Sequence, residues 1–523
     1  MQRWPDRELL FPDSPSSFAL LARDSLRTSD ICTFVDRSAA IFQKSGIKPH
    51  DRIGIVKSNH VDIVLLSIAI MRAGCIAVPV NEGFSTQALE DYARYTGLRA
   101  IITDAHVFRR LKLHTAAFPS VDLWLFPDVP DEFAACTLGR AIDLNIELAS
   151  TESKPAPTPE DPERIVMICH TSGTTGTPKG VKSTNRGLVS SARLMAMLSP
   201  ATRRTRSATA FAFNHKIAHD TLFGVIASGF PLWPTTRHQP DQLLAWLQNR
   251  QINVFSAFPD KLLSLYDHGL DRYDLSAMRI WLSAGDASHE AHMQNFVGNS
   301  GKSGKGARYI ETMGTSEIGT VASARIFSRR SPITGSRLIG RRVFGGPEIK
   351  IADKDGNRVP PGHVGRFMVR GASVFQGYWC DDTKTLDTRH RGWWWTGDLA
   401  MRDRGGRLYH FDREADAIET PTGVVFSLLI EEKILFHPDI AEAVVVAERV
   451  PDGAPAIVAV CSLKTGRSAK PEAIKEWVNR SLGGYAKVER IILVPMAKIP
   501  RGLTGKVLKR ELRQQLIESS NRA

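Results

Sequence analysis

The chain has 523 residues, 42% of them hydrophobic and 24% charged, with 40 Gly and 29 Pro spread along its length. At about 150 residues per domain this suffices for two to four structural units with a sizeable core, and it excludes a disordered, fibrous or peptide-scale module. Lys and Arg number 68 against 55 Asp and Glu, a formal charge of +13 that concentrates polyanions such as nucleotides, coenzyme A or nucleic acid without choosing among them.

The amino terminus, Met-Gln-Arg-Trp-Pro-Asp-Arg-Glu, lacks the apolar run of an export signal, so a cytoplasmic location is expected. Up to about residue 160, apolar runs at 52–56 and 99–103 read as strands and alternate with helical patterns at 61–71 and 85–95. The most apolar stretch, 61–80, contains Arg72 and Gly74 and has Pro79 at its end. It reads as a buried helix running into a strand, and no membrane helix is expected. Prolines at 155, 157, 159 and 162 mark a surface connection before a strand at 164–169. A second series follows, with strands predicted at 207–213, 252–258 and 278–283 and helices at 220–227 and 240–250. Parallel sheets with helical crossovers fit this alternation. After a Gly/Lys/Ser loop at 301–307, residues 332–412 change to short strands with Gly and Asp turns at 353–357 and 403–407, a β-rich texture.

The remainder reads as helix 428–436, strands 441–447 and 456–463, helix 471–482, strand 490–495 and a terminal helix from Lys506. The expected fold class is therefore α/β: a large amino-terminal α/β domain of several subdomains over 1–412 and a small α+β domain over 413–523. Cys32, Cys75, Cys136, Cys169, Cys380 and Cys461 are scattered without a CxxC pair, which predicts reduced, structural thiols rather than a zinc or redox centre.

The densest chemical signal is Thr171-Ser-Gly-Thr-Thr-Gly-Thr-Pro-Lys-Gly180, directly after an apolar strand and before a helical pattern starting near Asn185. Glycines let the backbone approach an anion, the hydroxyls of Thr171, Ser172, Thr174 and Thr175 add donors, Gly173 and Gly176 add freedom, and Lys179 adds charge. A polyphosphate is the ligand such a loop suits. The spacing is not that of the GxxxxGK[ST] loop of kinases and GTPases.

This segment resembles the phosphate loop of the adenylate-forming superfamily, which includes acyl-CoA synthetases, peptide-synthetase adenylation domains and luciferases. Further landmarks follow in order: Met313-Gly-Thr-Ser-Glu317 resembles Tyr-Gly-x-Thr-Glu, Trp395-Thr-Gly-Asp398 resembles Thr-Gly-Asp, Asp412-Arg413 resembles the hinge dipeptide, and Pro500-Arg-Gly-Leu-Thr-Gly-Lys506 resembles the terminal Pro-x-x-x-x-Gly-Lys. The resemblance spans almost the whole chain. It implies activation of a small carboxylic acid by attack on the α-phosphate of MgATP, giving acyl-AMP and pyrophosphate, then acyl transfer to a nucleophile.

By the same resemblance, Glu317 is the Mg²⁺ ligand and Ser316 a hydroxyl near the α-phosphate. Asp398 and Arg413 belong at the ribose. Lys506 is the cation that bridges carboxylate and α-phosphate, and the Gly-Lys context separates it from Lys509 and Arg510. His215 stands at the acyl-site position, with a buried or surface histidine as its alternative. Gly285, in Ser283-Ala-Gly-Asp-Ala287, falls along the adenine and acyl pocket, the alternative being a strand-to-helix turn capped by Asp286 or Ser288. Gly314 follows Met313, which replaces an adenine-stacking ring with a thioether. Two departures concern the acceptor: Ala415 stands where relatives carry Asp or Lys, and Ile418-Glu419-Thr-Pro-Thr-Gly423 replaces Ile-Lys-x-x-Gly. Coenzyme A is the leading acceptor, an amine such as an amino acid the alternative, and a carrier-protein thiol a third. A nucleic-acid-binding protein would explain the charge, but no helix-turn-helix, zinc finger or RNA-binding motif is found. A non-catalytic nucleotide sensor would not need Lys506 and Glu317. The expected assembly is a monomer or homodimer.

Overall fold

Arg52-Ile-Gly-Ile-Val is too short and too evenly apolar for an amphipathic helix, and it forms the strand Arg52–Val56, buried at its last four positions. The helix Asp62–Arg72 then carries the chain back to the parallel strand Ile76–Pro79, so the apolar 61–80 stretch is a crossover unit. The computed structural model describes residues 6–112, 118–134, 140–171, 179–199, 202, 204–301, 306–421, 423–448, 455–502 and 505–520. Cys136, Ser172, Gly173, Thr174, Thr175 and Gly176 lie outside the described residues, as does most of the 301–307 loop.

Two sheets organise the large domain. The first has eight strands, in the order Gly377–Tyr378, Lys179–Thr184, Ile165–Thr171, Ile76–Pro79, Arg52–Val56, Leu98–Thr103, Leu123–Phe126 and Arg140–Asp143. Its last six strands are parallel. The second begins with an antiparallel edge pair, Leu26–Arg27 and Glu8–Leu10, followed by parallel strands Leu232–Pro234, Ser207–Thr209, Val254–Ala257, Ile280–Ala284 and Arg308–Gly314. It then continues through antiparallel strands Val321–Phe327, Leu338–Arg342, Leu408–Arg413, Trp393–Arg402, Val364–Arg370 and Glu348–Ala352. The β-rich texture of 332–412 is this antiparallel extension. A continuous core joins the helices Thr28–Lys44, Asp62–Arg72 and Lys216–Ser228 to both sheets.

The smaller carboxy-terminal unit packs helices Ser427–Ile434 and Pro471–Leu482 on a three-stranded sheet, Ile440–Glu448, Ala456–Leu463 and Arg490–Leu493. Pro at the first turn of Pro471–Leu482 and the left-handed Gly483 after it define that helix as predicted. Two expectations need correction. The strand at 207–213 stops at Thr209, because the chain turns there toward the helix Lys216–Ser228. The terminal helix starts at Lys509, not Lys506: Gly502 N–H donates to Lys506 O at 2.8 Å, and Arg501 bridges to Val507, so Lys506 sits in a turn before the helix. Among the described residues, Cys32, Cys75, Cys169, Cys380 and Cys461 form no disulfide. No described helix is long and apolar enough to cross a membrane.

Candidate active site

Parallel strands in register end together, and their carboxyl ends form the usual binding edge of an α/β sheet. Ala257 pairs with Ser283 and Ala284 with Thr312, so Phe258, Gly285 and Met313-Gly314 emerge side by side. Gly285 has φ +97°, and a Cβ there would stand 2.9 Å from the Phe258 ring; glycine lets the ring close on the backbone. A cavity opens over this edge and under the small domain. Among its lining residues are Gly285, Met313, Gly314, Asp398, Arg413 and Lys506, six candidates drawn from five separate sequence landmarks.

Asp398 and Arg413 are fifteen positions apart yet face each other across the hairpin of Trp393–Arg402 and Leu408–Arg413. A bulge at Leu399/Ala400 re-aims the second strand, so His410 Nε2 also approaches Asp398 Oδ1, at 3.3 Å, beside Arg413 Nε at 3.1 Å. Burial pushes the Asp398 carboxyl up, but Arg413, the His410 hydrogen bond and Lys506 outweigh it and hold the group well below the usual carboxylate range. Its other oxygen, Oδ2, is buried and has no hydrogen-bond partner among the described residues. A charged acceptor left open in a cavity fits the hydroxyls of a ribose. Arg413 and burial depress the Lys506 ammonium, against Asp286, Asp398 and Asp416. Lys506 thus belongs to the same charge cluster although it comes from the small domain.

The turn after Gly314 carries Ser316 and Glu317, both half-buried and neither among the cavity-lining residues. Tyr378 O–H donates to Glu317 Oε1 at 3.1 Å, and Lys179 Nζ stands 5.8 Å from the Tyr378 ring centroid. Burial and Lys384 pull the Lys179 ammonium down to about 8, against the attraction of Glu317 and Asp381. Thr171 and Lys179 are register partners at the ends of their strands, bracketing 172–178. No group of three or more His, Cys, Asp or Glu suited to a metal occurs among the described residues. Glu317 offers a single carboxylate, which fits a hard cation that arrives with phosphate oxygens and water.

His215 is buried, immediately before the helix Lys216–Ser228, and does not line the cavity. Its ring packs edge-on against Phe258 at 5.5 Å and His170 at 5.7 Å, so Phe258 separates it from Gly285. Burial pulls His215 down to about 4, and burial and His215 pull His170 down to about 3; both are neutral rings. Glu419 is exposed on the hairpin Ile418–Thr420/Gly423–Val425, away from the cavity, and Ala415 is also exposed. The helix after Gly285 begins at Glu290 with His289 before it, so neither Asp286 nor Ser288 caps it. Sequence reasoning missed His410, Tyr378 and Phe258, none of which lies within a recognised motif.

Residues 15–379 match the profile described as AMP-binding enzyme, and residues 429–506 match the AMP-binding enzyme C-terminal domain. The chain is 27% identical over 529 residues to a 3-aminoavenalumate diazotase of a Streptomyces species, covering 95% of this chain and 90% of that one. It is 26% identical over 505 residues to 4-coumarate–CoA ligase 4 of Arabidopsis thaliana, covering 94% and 86%. In fold it is similar to the amide bond synthetase McbA of Marinactinospora thermotolerans, with a TM-score of 0.82 at 23% identity over 97% of each chain. With both profiles matched in order and a cavity that gathers the matching residues, the chain belongs to the adenylate-forming AMP-binding enzyme family.

Proposed function

We propose that the protein activates a small carboxylic acid with MgATP and passes the acyl group to coenzyme A. The observation that carries this reading is the buried, unpartnered Asp398 Oδ2, held charged beside Arg413 and Lys506 at the carboxyl ends of the second sheet. Asp398 accepts from the ribose hydroxyls and Arg413 keeps it ionised. Met313 and Gly314 border the adenine, while Thr171, Ser172, Gly173, Thr174, Thr175, Gly176 and Lys179 hold the polyphosphate. Glu317 would hold Mg²⁺, whose charge would neutralise that of the phosphates, and Ser316 donates to the α-phosphate.

In the first step an oxygen of the substrate carboxylate bonds to the α-phosphorus, the bond from that phosphorus to the bridging oxygen breaks, and pyrophosphate leaves. Lys506 spreads its charge over the carboxylate and α-phosphate as negative charge develops. In the second, the coenzyme A sulfur bonds to the acyl carbon, AMP leaves with the former carboxylate oxygen, and the thiol proton passes to solvent. The neutral rings of His215 and Phe258 behind Gly285 suit a flat, apolar acyl group, and one relative is named for 4-coumarate. We set the boundary between the large domain, 1–412, and the small domain, 413–523, at the Asp412-Arg413 hinge.

Of the two departures that concern the acceptor, Ala415 and Glu419 are both exposed and neither lines the cavity, so neither offers an amine a contact in this arrangement. The test is exchange of labelled pyrophosphate into ATP with a panel of acids headed by aromatic ones, followed by product mass with coenzyme A and with amino acids offered separately. AMP and pyrophosphate with a thioester product are expected. ADP and phosphate would overturn the activation step, and an amide with no thioester would overturn the acceptor.

A further inference from the structure

Lys216 and Asp220 form a buried ion pair, 4% and 2% exposed, on the first turns of the helix Lys216–Ser228. Lys216 Nζ donates to Asp220 Oδ1 at 2.7 Å and Oδ2 at 2.9 Å. Burying such a pair costs desolvation, and an apolar pair of similar volume is often as stable or more so. Its presence calls for something that an apolar pair would not do. The third ammonium hydrogen provides it: Lys216 Nζ also donates to the carbonyl of Gly319, at 2.8 Å.

Gly319 closes the turn that carries Ser316 and Glu317, and that turn is held at successive carbonyls. Phe375 N–H donates to Glu317 O at 2.8 Å, and Ser373 Oγ donates to Ile318 O at 2.9 Å. Gly319 O receives both Lys216 Nζ and the hydroxyl of Ser191. Gly319 has φ +75°, and a Cβ there would collide with the Ser373 carbonyl, so the backbone at this point has no room to shift sideways. The strongest of these donors is charged, and it comes from the residue next to His215.

We infer that Lys216 is a positioning residue: through the Gly319 carbonyl it fixes where the Ser316–Glu317 turn presents its oxygens to a metal-bound triphosphate, with Asp220 as the counter-ion that orients the ammonium. One helix start then carries both His215, packed behind Phe258, and Lys216, which reaches the turn of Ser316 and Glu317. This inference rests on the proposed role of Glu317 as the Mg²⁺ ligand.

The test compares three proteins with the unaltered enzyme: the paired change Lys216→Met with Asp220→Leu, Ser191→Ala, and Glu317→Gln. Pyrophosphate exchange supplies KM for MgATP and for the acid, and titration calorimetry supplies the Kd of adenosine, which has no phosphate for the turn to meet. Loss of a hydrogen bond from a charged donor predicts an increase of about tenfold in KM for MgATP in the paired variant, with acid KM and adenosine Kd within about twofold. Ser191→Ala should move the same quantity in the same direction by about threefold. A folded paired variant with unaltered KM for MgATP overturns the inference, and so does one in which acid and adenosine affinities fall in step. Should the paired variant not fold, an unaltered KM for MgATP in Ser191→Ala overturns it equally. Glu317→Gln separates the premise: if its Mg²⁺ dependence is unaltered, the role of Glu317 fails and the inference with it, whereas a shift there alone refutes only Lys216.

Discussion

The two sides of the site answer the same problem, burial of ionisable groups, in opposite ways. Asp398 keeps its charge because Arg413, His410 and Lys506 surround it. Behind Gly285, the described neighbours of the His215 and His170 rings are other rings, Asn81 and one another, and burial keeps them neutral. The difference shows that burial sets the penalty for a charge while the partners set whether the charge survives. A polyanion and its ribose need the first environment, and an apolar acyl group the second.

The charged side should give the largest effects. Lys506→Ala is expected to slow acyl-AMP formation by at least about a hundredfold, the usual effect of losing one charge-stabilising group, with transfer from supplied acyl-AMP much less affected. Equal loss in both half-reactions, measured separately, would break the distinction between the two sides. Asp398→Asn removes the ionised acceptor from the ribose, and AMP Kd should rise about ten- to a hundredfold. An unaltered Kd by calorimetry would remove the ribose assignment.

The neutral side is expected to appear in stability against pH. A histidine of 6.5 when unfolded and about 4 when folded takes up its proton first in the unfolded state, so stability falls as pH drops from about 6.5 to about 4. His215 contributes up to about 3 kcal/mol of that loss. Asp398 is shifted in the same direction for the opposite reason, its charged form being the one the fold favours: its stabilisation is full above 3.8 and is lost as pH falls below it toward the folded value. Melting temperature followed from pH 7 to 4.5 should therefore decline less in His215→Phe than in the unaltered protein. Identical declines would show that the ring is charged or solvated in the folded state. The smallest effect is expected from Glu419→Ala, with thioester formation within about twofold because the side chain is exposed. A tenfold or greater change in amide yield would return the amine alternative.

Much of the frame was legible where the determinants are local. Strand Arg52–Val56 and helix Pro471–Leu482 match their predicted spans because apolar runs, Pro and Gly act within a few residues. Of the partners of the site groups, Arg413 and Lys506 were legible only through resemblance, and His410 and Tyr378 were not legible at all. His410 reaches Asp398 through a bulge that no motif marks, and Lys506 precedes its helix because Arg501 and Val507 bridge around a turn.

By itself, the sequence determined the alternating α/β order and the β-rich 332–412 segment, since composition and short-range periodicity act along the chain. Tertiary structure alone decided that Asp398 is charged and His215 neutral, that Lys506 enters a cavity with Arg413, and that Lys216 reaches Gly319. Each depends on groups brought together from distant segments, where local dielectric and counter-charge are properties of the packed fold rather than of any stretch of chain.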